Sequence, residues 1–548
     1  MSVAVVAGSG PPPGRAAPSM PRARTVPALL GELAEGHPDV EFIVGAGRRL
    51  RYPEFRDEAR RFACALHALG VRRGDKVAIL MGNRPEWLIA YFAILSLGAV
   101  MVSLNTWATR RELAYMLDHS DTSVLVTVDR FLGQDYTAAL QEIGAAAGLP
   151  RLRHIVRLAP DGRTLPGGVS WEAALQAGMA VPESTVDAAE DAIEPADVGC
   201  ILYTSGSTST PKGVQLQHFA LIENMWHIGE RQRLRAGDRL WLAVSLFWGL
   251  GCENALFALM THAGTIVLQE RFEAGEAIDL IERERCTVVY ATPNMVRALA
   301  EHPGYRRERL ASLRTGVTIG TPEQVRLLAD LGASEICNVY GLTETYGNCT
   351  VTDAQDPMEV RAASVGRPLP GFELAIVDPK TRRSLPAGEV GEIKARGYVT
   401  CGYYRDEDRN REAFDDEGWF LTGDLGYLDD SGRLHYRGRL KEMIKTGGIN
   451  VAPVEVEEVL MSHPGVEQAF VVGLPDAERD EIVVAAVVPR EGSGVDEATL
   501  REHSAGALAA YKRPRRYRLV AAEELPLTTT GKVRKLGMKE LFEAGAGD

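Results

Sequence analysis

The chain has 548 residues, 45% of them hydrophobic and 25% charged, and a net charge of −13. One hydrophobic core does not usually grow to this length, so at least two domains are expected, and the composition excludes a disordered or fibrous protein. The acidic balance argues against a nucleic-acid partner, which would require a basic surface. The seven cysteines include no CxxC pair, which argues against a disulfide framework or a zinc site and favours a reducing cytoplasm.

The first half of the chain predicts a buried α/β core that follows an unstructured tail. Residues 1–22 are rich in Gly, Pro and Ala and lack the basic run of a signal peptide. Residues 88–104 are uncharged but too short for a membrane span, so a buried helix that leads into a buried strand is expected. Apolar runs alternate with helical patterns, which predicts βαβ units and parallel sheet, with strands at 76–80, 124–128, 264–269 and 286–292 and helices at 112–119 and 276–284.

Two later segments, and the chain after Arg439, change in character. Residues 161–197 are polar and contain Gly and Pro, which predicts a surface connection. Residues 389–429 combine glycines with short apolar runs, which indicates a small β subdomain. The predicted class is therefore α/β, with a large N-terminal domain of βαβ sheets plus a β subdomain (23–440) and a small C-terminal α+β domain (441–548).

The segment YTSGSTSTPKGV (203–214) follows an apolar strand and is suited to binding phosphate. Its small hydroxyl residues and glycines leave backbone N–H groups and hydroxyls free to surround an anion, and Lys212 adds a positive charge. The segment lacks the Walker A pattern. An ordinary loop is the alternative interpretation.

Two further segments pair residue types that a nucleotide site needs. In YGLTE (340–344), the Thr343 hydroxyl could bind phosphate and the Glu344 carboxylate could hold Mg²⁺. In TGD (422–424), Asp424 could accept hydrogen bonds from ribose hydroxyls. A helix cap and a simple turn are the respective alternatives.

The last two segments lie at the predicted domain boundary and near the C-terminus. Residues 438–455 contain alternating charges and the pair Gly447 and Gly448, which lets the backbone approach a ligand closely. The loop PLTTTGK (526–532) presents Lys532, whose alternative interpretation is a solvated surface lysine.

In this order, the five segments resemble the motifs of the adenylate-forming superfamily, which includes acyl-CoA synthetases, luciferases and the adenylation domains of peptide synthetases. The resemblance spans about residues 25–541, and IKTGGINVAPVEVE is similar to the acyl-CoA synthetase branch. It implies a ligase that uses ATP to activate a carboxylic acid as acyl-AMP, with Mg²⁺, and then transfers the acyl group to CoA. It also implies that the C-terminal domain is mobile.

The resemblance assigns roles to individual residues. Catalytic roles fall on Lys532, which bridges carboxylate and phosphate, on Thr343 at the α-phosphate, on Glu344 at the metal, on Lys441 at the hinge, and on Lys445. Nucleotide and CoA binding is implied for Thr204, Ser205, Gly206, Ser207, Thr208, Lys212, Gly320, Thr321, Pro322, Asn338, Val339, Tyr340, Gly341, Asp424, Arg439, Gly447 and Gly448. The acid site is implied to include Phe247, Trp248, Gly249, Thr318, Ile319, Leu342 and Tyr346.

Two positions depart from the pattern of the superfamily. Ser209 stands where the phosphate loop has glycine, and Trp248 stands where the acid segment has histidine. No carboxylate lies within residues 245–251, so an α-amino acid is disfavoured, and Trp248 with Gly249 favours an aromatic or bulky cyclic acid.

Two alternative functions stay open at this stage. One is a ligase that forms only the thioester from acyl-AMP supplied by a partner enzyme, and the other is a non-catalytic AMP-binding protein. A homo-oligomer is also compatible with the sequence. A hydrolase is not, because no GxSxG motif is present.

Overall fold

The structure, a computed structural model, describes residues 6–7, 19–146, 148–159, 161–204, 211–446, 449–476, 479–508, 510–527 and 533–543. Two large sheets and a smaller antiparallel sheet form the N-terminal part, and a separate sheet forms the C-terminal part. This arrangement confirms the predicted α/β class with a large N-terminal and a smaller C-terminal domain. The boundary at 440/441 stays a prediction.

The first large sheet has seven strands and is parallel apart from its last pair. Its inner strands are apolar and buried on both faces, as parallel strands covered by helices must be. In spatial order the strands are Gly168–Ser170, His154–Leu158, Thr122–Val128, Lys76–Leu80, Val100–Ser103, Val198–Thr204 and Lys212–Gln217.

The second large sheet has nine strands, of which the six central ones are parallel. Antiparallel strands close both of its edges. In spatial order the strands are Arg367–Pro368, Thr350–Val351, Glu335–Tyr340, Thr315–Thr318, Val288–Tyr290, Arg239–Leu242, Thr265–Leu268, Glu41–Gly45 and Arg48–Arg51.

The predicted β subdomain is an antiparallel sheet of five strands, which are Val6–Ala7, Glu373–Val377, Gly391–Arg396, Phe420–Leu428 and Leu434–Arg439. The first of these lies within the stretch expected to be an unstructured tail. Its two residues pair with Leu374 and Glu373, so the chain departs from that expectation there.

The C-terminal sheet joins Ile449–Val451, Ile444–Thr446, Asp480–Pro489, Val466–Asp476 and Arg516–Leu519. The helices Pro453–Met461, Glu497–Ala507 and Lys535–Glu543 and the 3₁₀ turn Ala522–Glu524 belong to the same part of the chain. One face of the sheet packs on a core that includes Val456, Leu460 and Leu500, and the other on a core that includes Met538 and Phe542. Each face is covered by its own helices, so this sheet has cores separate from that of the N-terminal part.

The N-terminal helices cover the two large sheets and share the core with the strands. They are Val26–Gly36, Tyr52–Ala68, Pro85–Ser96, Arg110–His119, Tyr136–Ala146, Trp171–Gly178, Glu183–Asp191, His218–Arg231, Leu256–Met260, Ala274–Glu284, Pro293–Glu301, Pro322–Asp330, Met358–Ala363 and Glu407–Ala413, with 3₁₀ turns at Arg307–Leu310, Thr343–Thr345 and Leu440–Glu442 and a π-helix at Gly249–Ala255.

Two segments test the sequence interpretation of buried and exposed chain. Residues 88–104 form the buried helix Pro85–Ser96 and the buried strand Val100–Ser103, as expected. None of the helices in the described chain is long and apolar enough to cross a membrane. Most residues of 161–197 are exposed or half-buried, as expected of a surface connection, but the segment also holds the unpredicted helices Trp171–Gly178 and Glu183–Asp191, some of whose apolar residues pack on the core.

Candidate active site

The site lies at the carboxyl ends of strands from both large sheets, where these strands meet the β subdomain. Val198–Thr204 ends at the phosphate loop, and Lys212 begins the next strand. Thr315–Thr318 and Glu335–Tyr340 are adjacent parallel strands, and the latter leads into the turn Thr343–Thr345. In α/β sheets, ligands bind at this edge, because the loops that follow parallel strands converge there.

Lys212, Glu344 and Tyr403 form one hydrogen-bonded cluster. Nζ of Lys212 donates to Oε1 of Glu344 at 2.6 Å and to the Tyr403 hydroxyl at 3.0 Å, and that hydroxyl donates to the same Oε1 at 2.9 Å. The Glu344 residue is only 4% exposed. Burial and the adjacent carboxylate raise the pKa of Tyr403, which therefore stays a neutral donor. The cluster brings together two predicted site residues and a tyrosine that the sequence interpretation left without a role.

Asp424 occupies a second polar position, on the strand Phe420–Leu428. Its residue is 1% exposed, and Oδ2 accepts a hydrogen bond from the Tyr340 hydroxyl at 2.9 Å. Oδ1 lies 3.2 Å from Nε of Arg439 but accepts no hydrogen bond from any described residue. Burial raises the pKa of Asp424 to about 6, although the Arg439 charge opposes the shift.

Three buried polar atoms near the strand ends support the presence of a nucleotide. Besides Oδ1 of Asp424, the hydroxyls of Thr204 and Thr318 are buried and have no partner in the described part of the chain. Buried polar atoms are almost always hydrogen-bonded, so a ligand with several donors and acceptors accounts for this group. Ribose hydroxyls and phosphate oxygens provide them.

The predicted adenine segment combines the half-buried residues 320–322 with a buried stretch. The N–H of Thr321 donates to Oε1 of Gln324 at the start of the helix Pro322–Asp330, and Ile319, which was predicted for the acid site, is exposed just before it. Asn338 is buried, and its side chain donates to Ser364 O at 3.1 Å. Gly320 and Pro322 flank Thr321, whereas Val339 is buried in its strand.

The predicted acid site contains a cluster of three aromatic rings. Phe247 and Trp248 lie 5.4 Å apart in an edge-on arrangement, and each packs edge-on against Trp107, at 5.1 and 5.5 Å. Trp107 was not predicted from the sequence. Leu342 is partly buried beside Thr343, but Tyr346 is fully buried and its hydroxyl accepts from the Gln217 N–H at 2.8 Å. Its role as a substrate contact stays a prediction.

Close approach of two backbone segments explains one of the site glycines. A Cβ at Gly341 would lie 2.2 Å from the carbonyl oxygen of Gly347, so no other residue fits. This contact sets the path of the chain that carries Thr343 and Glu344.

The predicted hinge residue Lys441 is exposed and lies in the turn Leu440–Glu442. Arg439 precedes this turn and pairs with Asp424, and Glu442 pairs with Lys535 of the C-terminal domain at 3.3 Å. Lys445 is exposed on the strand Ile444–Thr446. The remaining predicted residues lie outside the described residues, namely Ser205, Gly206, Ser207, Thr208, Gly447, Gly448 and Lys532.

The site suits Mg²⁺ bound mainly by phosphate. The described residues contain no group of three or more His, Cys, Asp or Glu side chains that could hold a metal ion. Mg²⁺ in nucleotide sites is often held by one or two carboxylates together with phosphates and water, and Glu344 can supply one carboxylate. The residues present therefore fit a metal that arrives with the nucleotide.

Comparison with known proteins defines the class. The family model for AMP-binding enzymes matches residues 30–404, and the model for the C-terminal domain of these enzymes matches residues 455–532. The chain belongs to the AMP-binding enzyme family, which confirms the resemblance stated from its motifs.

Individual relatives narrow the class. A methyl-dioxo-octahydroindenyl-propanoyl:CoA ligase of Mycobacterium tuberculosis is 35% identical, over 94% of this chain and 99% of the relative. ATP-bound MatB from Rhodopseudomonas palustris superposes with a TM-score of 0.82 at 29% identity, over 94% and 99% of the two chains. The anthranilate CoA ligase AuaEII in complex with anthranoyl-AMP gives 0.81 at 27% identity, over 95% and 98%. The protein is an ATP-dependent acyl-CoA synthetase.

Proposed function

We propose that the enzyme activates an aromatic or bulky cyclic carboxylic acid as its acyl-AMP, with Mg²⁺, and transfers the acyl group to CoA. The observation that carries this proposal is the cluster of Lys212, Glu344 and Tyr403, which lies beside Thr343 in the chain. It places a cation, a carboxylate and a hydroxyl donor at the strand ends where phosphates and acid must meet.

In the first half-reaction, a carboxylate oxygen of the acid attacks the α-phosphorus of ATP. A new O–P bond forms, and the bond to pyrophosphate breaks. Because two anions approach each other, positioning and positive charge lower the barrier, and no acid–base residue is required. Bound Mg²⁺ would neutralise phosphate charge, Lys212 would supply a second positive charge, and Asp424 would hold the ribose through Oδ1.

The pairing of Lys212 with Glu344 has a consequence for nucleotide binding. Phosphates that draw Lys212 towards them weaken its hydrogen bond to Glu344 and leave that carboxylate available to the metal. Tyr403 bonds to both side chains, so it can keep Glu344 oriented during this exchange.

In the second half-reaction, the CoA thiolate attacks the acyl carbon, and the C–O bond to AMP breaks. A free thiol has a pKa near 8.5, so modest activation is enough. We propose that the C-terminal domain turns about Lys441 between the two steps, which removes Lys532 and brings Gly447 and Gly448 to the site.

The aromatic or cyclic nature of the acid is supported by the rings of Trp107, Phe247 and Trp248. Edge-on aromatic pairs form rigid, flat walls, which suit a flat ligand better than a flexible chain. Two of the similar proteins are named for ring-bearing acids, an indenyl propanoate and anthranilate.

The test measures both half-reactions in a variant of Lys532. Purified enzyme is given ATP, Mg²⁺ and a panel of aromatic and cyclic acids, and acyl-AMP and acyl-CoA are measured by mass spectrometry. Lys532→Ala is expected to lower acyl-AMP formation by about two to four orders of magnitude, because one charge contact is lost from the transition state. It should spare acyl-CoA formation from synthetic acyl-AMP.

Lys539→Ala is the matched control, since Lys539 lies on the same C-terminal segment and its Nζ is 3.9 Å from Glu481. We expect this control to leave both steps unchanged. Equal loss of both half-reactions in Lys532→Ala would contradict the role of Lys532, and no acyl-AMP from any acid in the wild type would overturn the proposed function.

A further inference from the structure

One buried carboxyl near the predicted acid site lacks a hydrogen-bond partner in the part of the chain that the structure describes. Glu253 lies in the π-helix Gly249–Ala255, and its residue is 0% exposed. Neither Oε1 nor Oε2 is hydrogen-bonded to any described residue. A π-helix is rare and often marks a functional site, and a buried carboxyl without a partner is costly, so a structural role does not account for Glu253.

A nearby charge raises the free-energy cost of burying the Glu253 carboxylate without a hydrogen-bond partner. The charge that acts on it in the described chain is the Glu344 carboxylate, and together with burial this raises the pKa of Glu253 well above its usual range. Glu253 in turn perturbs Tyr91, Cys200 and Cys252 in the same region, none of which is a cation. Burial and the Glu344 charge both favour the neutral form of the Glu253 carboxyl.

Gly249 shows that this carboxyl lies close to Thr343, the residue predicted to bind the α-phosphate. A Cβ placed on Gly249 would lie 2.5 Å from Oε2 of Glu253 and 3.6 Å from the hydroxyl oxygen of Thr343. The absence of a side chain at Gly249 thus makes room for the Glu253 carboxyl beside Thr343. Gly249 directly follows Trp248 of the aromatic cluster in sequence.

We propose that Glu253 determines substrate specificity by accepting a hydrogen bond from a donor that the acid carries close to its own carboxyl group. The donor is a hydroxyl or an ammonium group on the carbon atoms next to that carboxyl. Because the acid must occupy this site, the inference rests on the proposed function.

This proposal alters one expectation from the sequence. An α-amino acid was disfavoured because residues 245–251 contain no carboxylate, but Glu253 follows two residues later and its side chain returns to Gly249. A carboxyl is therefore available near the acid site. Acids that carry a hydroxyl and acids that carry an ammonium group can be compared in the same experiment.

The experiment uses two matched sets of acids. The first is phenylacetate with its α-hydroxy and α-amino derivatives, and the second is 3-phenylpropanoate with its 3-hydroxy and 3-amino derivatives, each as separate enantiomers. Acyl-CoA formation gives kcat/KM for each acid, and calorimetry in the presence of AMP gives Kd. We expect one donor-bearing acid to exceed its parent by about 100-fold in kcat/KM, since a buried polar group left without a partner rejects the analogue that lacks the donor.

Variants identify the residue and the donor. Glu253→Gln keeps an oxygen acceptor but cannot ionise, so preference for an ammonium should fall about 100-fold, whereas preference for a hydroxyl should persist. Glu253→Leu should abolish either preference. Glu284→Gln is the control, because Glu284 is a half-buried glutamate that pairs with Arg49 and Arg239 in another part of the fold.

The readouts separate this inference from the proposed function. Two results would overturn the inference and leave the ligase activity intact. In the first, parent and donor-bearing acids give acyl-CoA equally well. In the second, wild type and Glu253→Leu show the same preference. If no acid gave acyl-CoA, but calorimetry showed a preference that Glu253→Leu removed, the inference would stand and the proposed activity would fail.

Discussion

We expect Asp424 to couple nucleotide binding to pH. Its pKa of about 6 means that it is protonated in much of the protein below that pH, and a protonated Oδ1 or Oδ2 is a poorer acceptor for ribose hydroxyls. Nucleotide binding should favour the ionised form and release the proton. We therefore expect AMP affinity to fall as pH drops through about 6, by at most tenfold per pH unit.

The measurement is Kd for AMP by calorimetry from about pH 5 to about pH 8, in wild type and in Asp424→Asn. The AMP phosphate also titrates in this range, but it does so equally for both proteins, so the ratio of the two Kd values isolates Asp424. A ratio that does not change with pH would show that Asp424 does not bind the ribose.

The raised pKa of Asp424 also makes the free energy of unfolding depend on pH. Since the folded pKa lies above the ordinary value of 3.8, Asp424 favours the folded state at low pH, and this contribution is lost as pH rises through about 6. Asp424→Asn should therefore lose little stability at neutral pH.

Tyr403 is expected to contribute to catalysis through its hydroxyl. Tyr403→Phe keeps the ring over Lys212 but removes the hydrogen bonds to Lys212 and Glu344. Hydrogen bonds to charged groups contribute about 1.5–3 kcal/mol, so acyl-AMP formation should fall about 10- to 100-fold. Stopped-flow or pyrophosphate-exchange measurements would show the change.

The neighbouring Tyr404 provides a matched control, because its hydroxyl donates to Oδ2 of Asp121 at 3.0 Å and not to the cluster. Tyr404→Phe should leave adenylation within about twofold of wild type, as expected for a partly exposed contact. Similar losses in both variants would assign the effect to the packing of residues 402–404.

The residues that sequence reasoning missed depend on contacts that no local pattern shows. Tyr403 lies 191 positions from the predicted residue Lys212, and only the folded β subdomain brings the two together. The only signal for Tyr403 was its place in a glycine-rich segment. Glu253 had a clearer signal, a single charge within the apolar run CENALFALM, but its orientation depends on the π-helix and on Gly249.

At the scale of elements, the turn Leu440–Glu442 connects ion pairs on opposite sides. Arg439 pairs with Asp424 in the β subdomain, and Glu442 pairs with Lys535 in the C-terminal domain. Each pair lies on its own side of the turn, so rotation about Lys441 would leave both ion pairs intact. The position of Lys441 between them supports its assignment as the hinge.

Lys441→Pro is expected to slow thioester formation and to spare acyl-AMP formation. Proline fixes φ near −65°, which restrains rotation at this position, whereas adenylation takes place before the rotation. Thioester formation from synthetic acyl-AMP and pyrophosphate exchange are measured on the same samples. Lys441→Ala removes the charge but not the freedom of φ, so a loss of thioester formation in that variant as well would contradict the hinge assignment.

Whether a segment forms a helix or a strand was predictable where its composition and the spacing of its apolar residues were distinctive. The strand Lys76–Leu80 was placed without error, and the expected helices at 112–119 and 276–284 extend by only two residues at their starts. The helices Trp171–Gly178 and Glu183–Asp191 were missed because they are short and only a few of their residues are buried. Tertiary contact with the core, and not a strong local pattern, stabilises them.

At the scale of the whole molecule, ion pairs form part of the contact between the two domains. Arg297 pairs with Glu467, and Arg437 lies 3.6 Å from Glu458. Partly exposed ion pairs contribute about 0–1 kcal/mol each, so they resist domain rotation only weakly. The protein family could be recognised from the order of the motifs. The contacts between the two domains, however, depend on side chains that are far apart in sequence.

The last prediction concerns Ser209, which stands where the superfamily has glycine in the phosphate loop and which lies outside the described residues. Added bulk in that loop would affect ATP, with three phosphates, more than acyl-AMP, with one. We expect Ser209→Gly to raise the rate of pyrophosphate exchange about threefold to tenfold, and to leave thioester formation from synthetic acyl-AMP unchanged.

Ser209→Ala separates the two possible causes, because it removes the hydroxyl but keeps Cβ. If the bulk of Cβ is the cause, the alanine variant should behave as wild type; if the hydroxyl is the cause, it should behave as Ser209→Gly. Equal changes in both half-reactions would contradict a selective effect on ATP. Thioester formation without any exchange in the wild type would instead favour an enzyme that receives its acyl-AMP from a partner, and restored exchange in Ser209→Gly would then locate the reason in this one side chain.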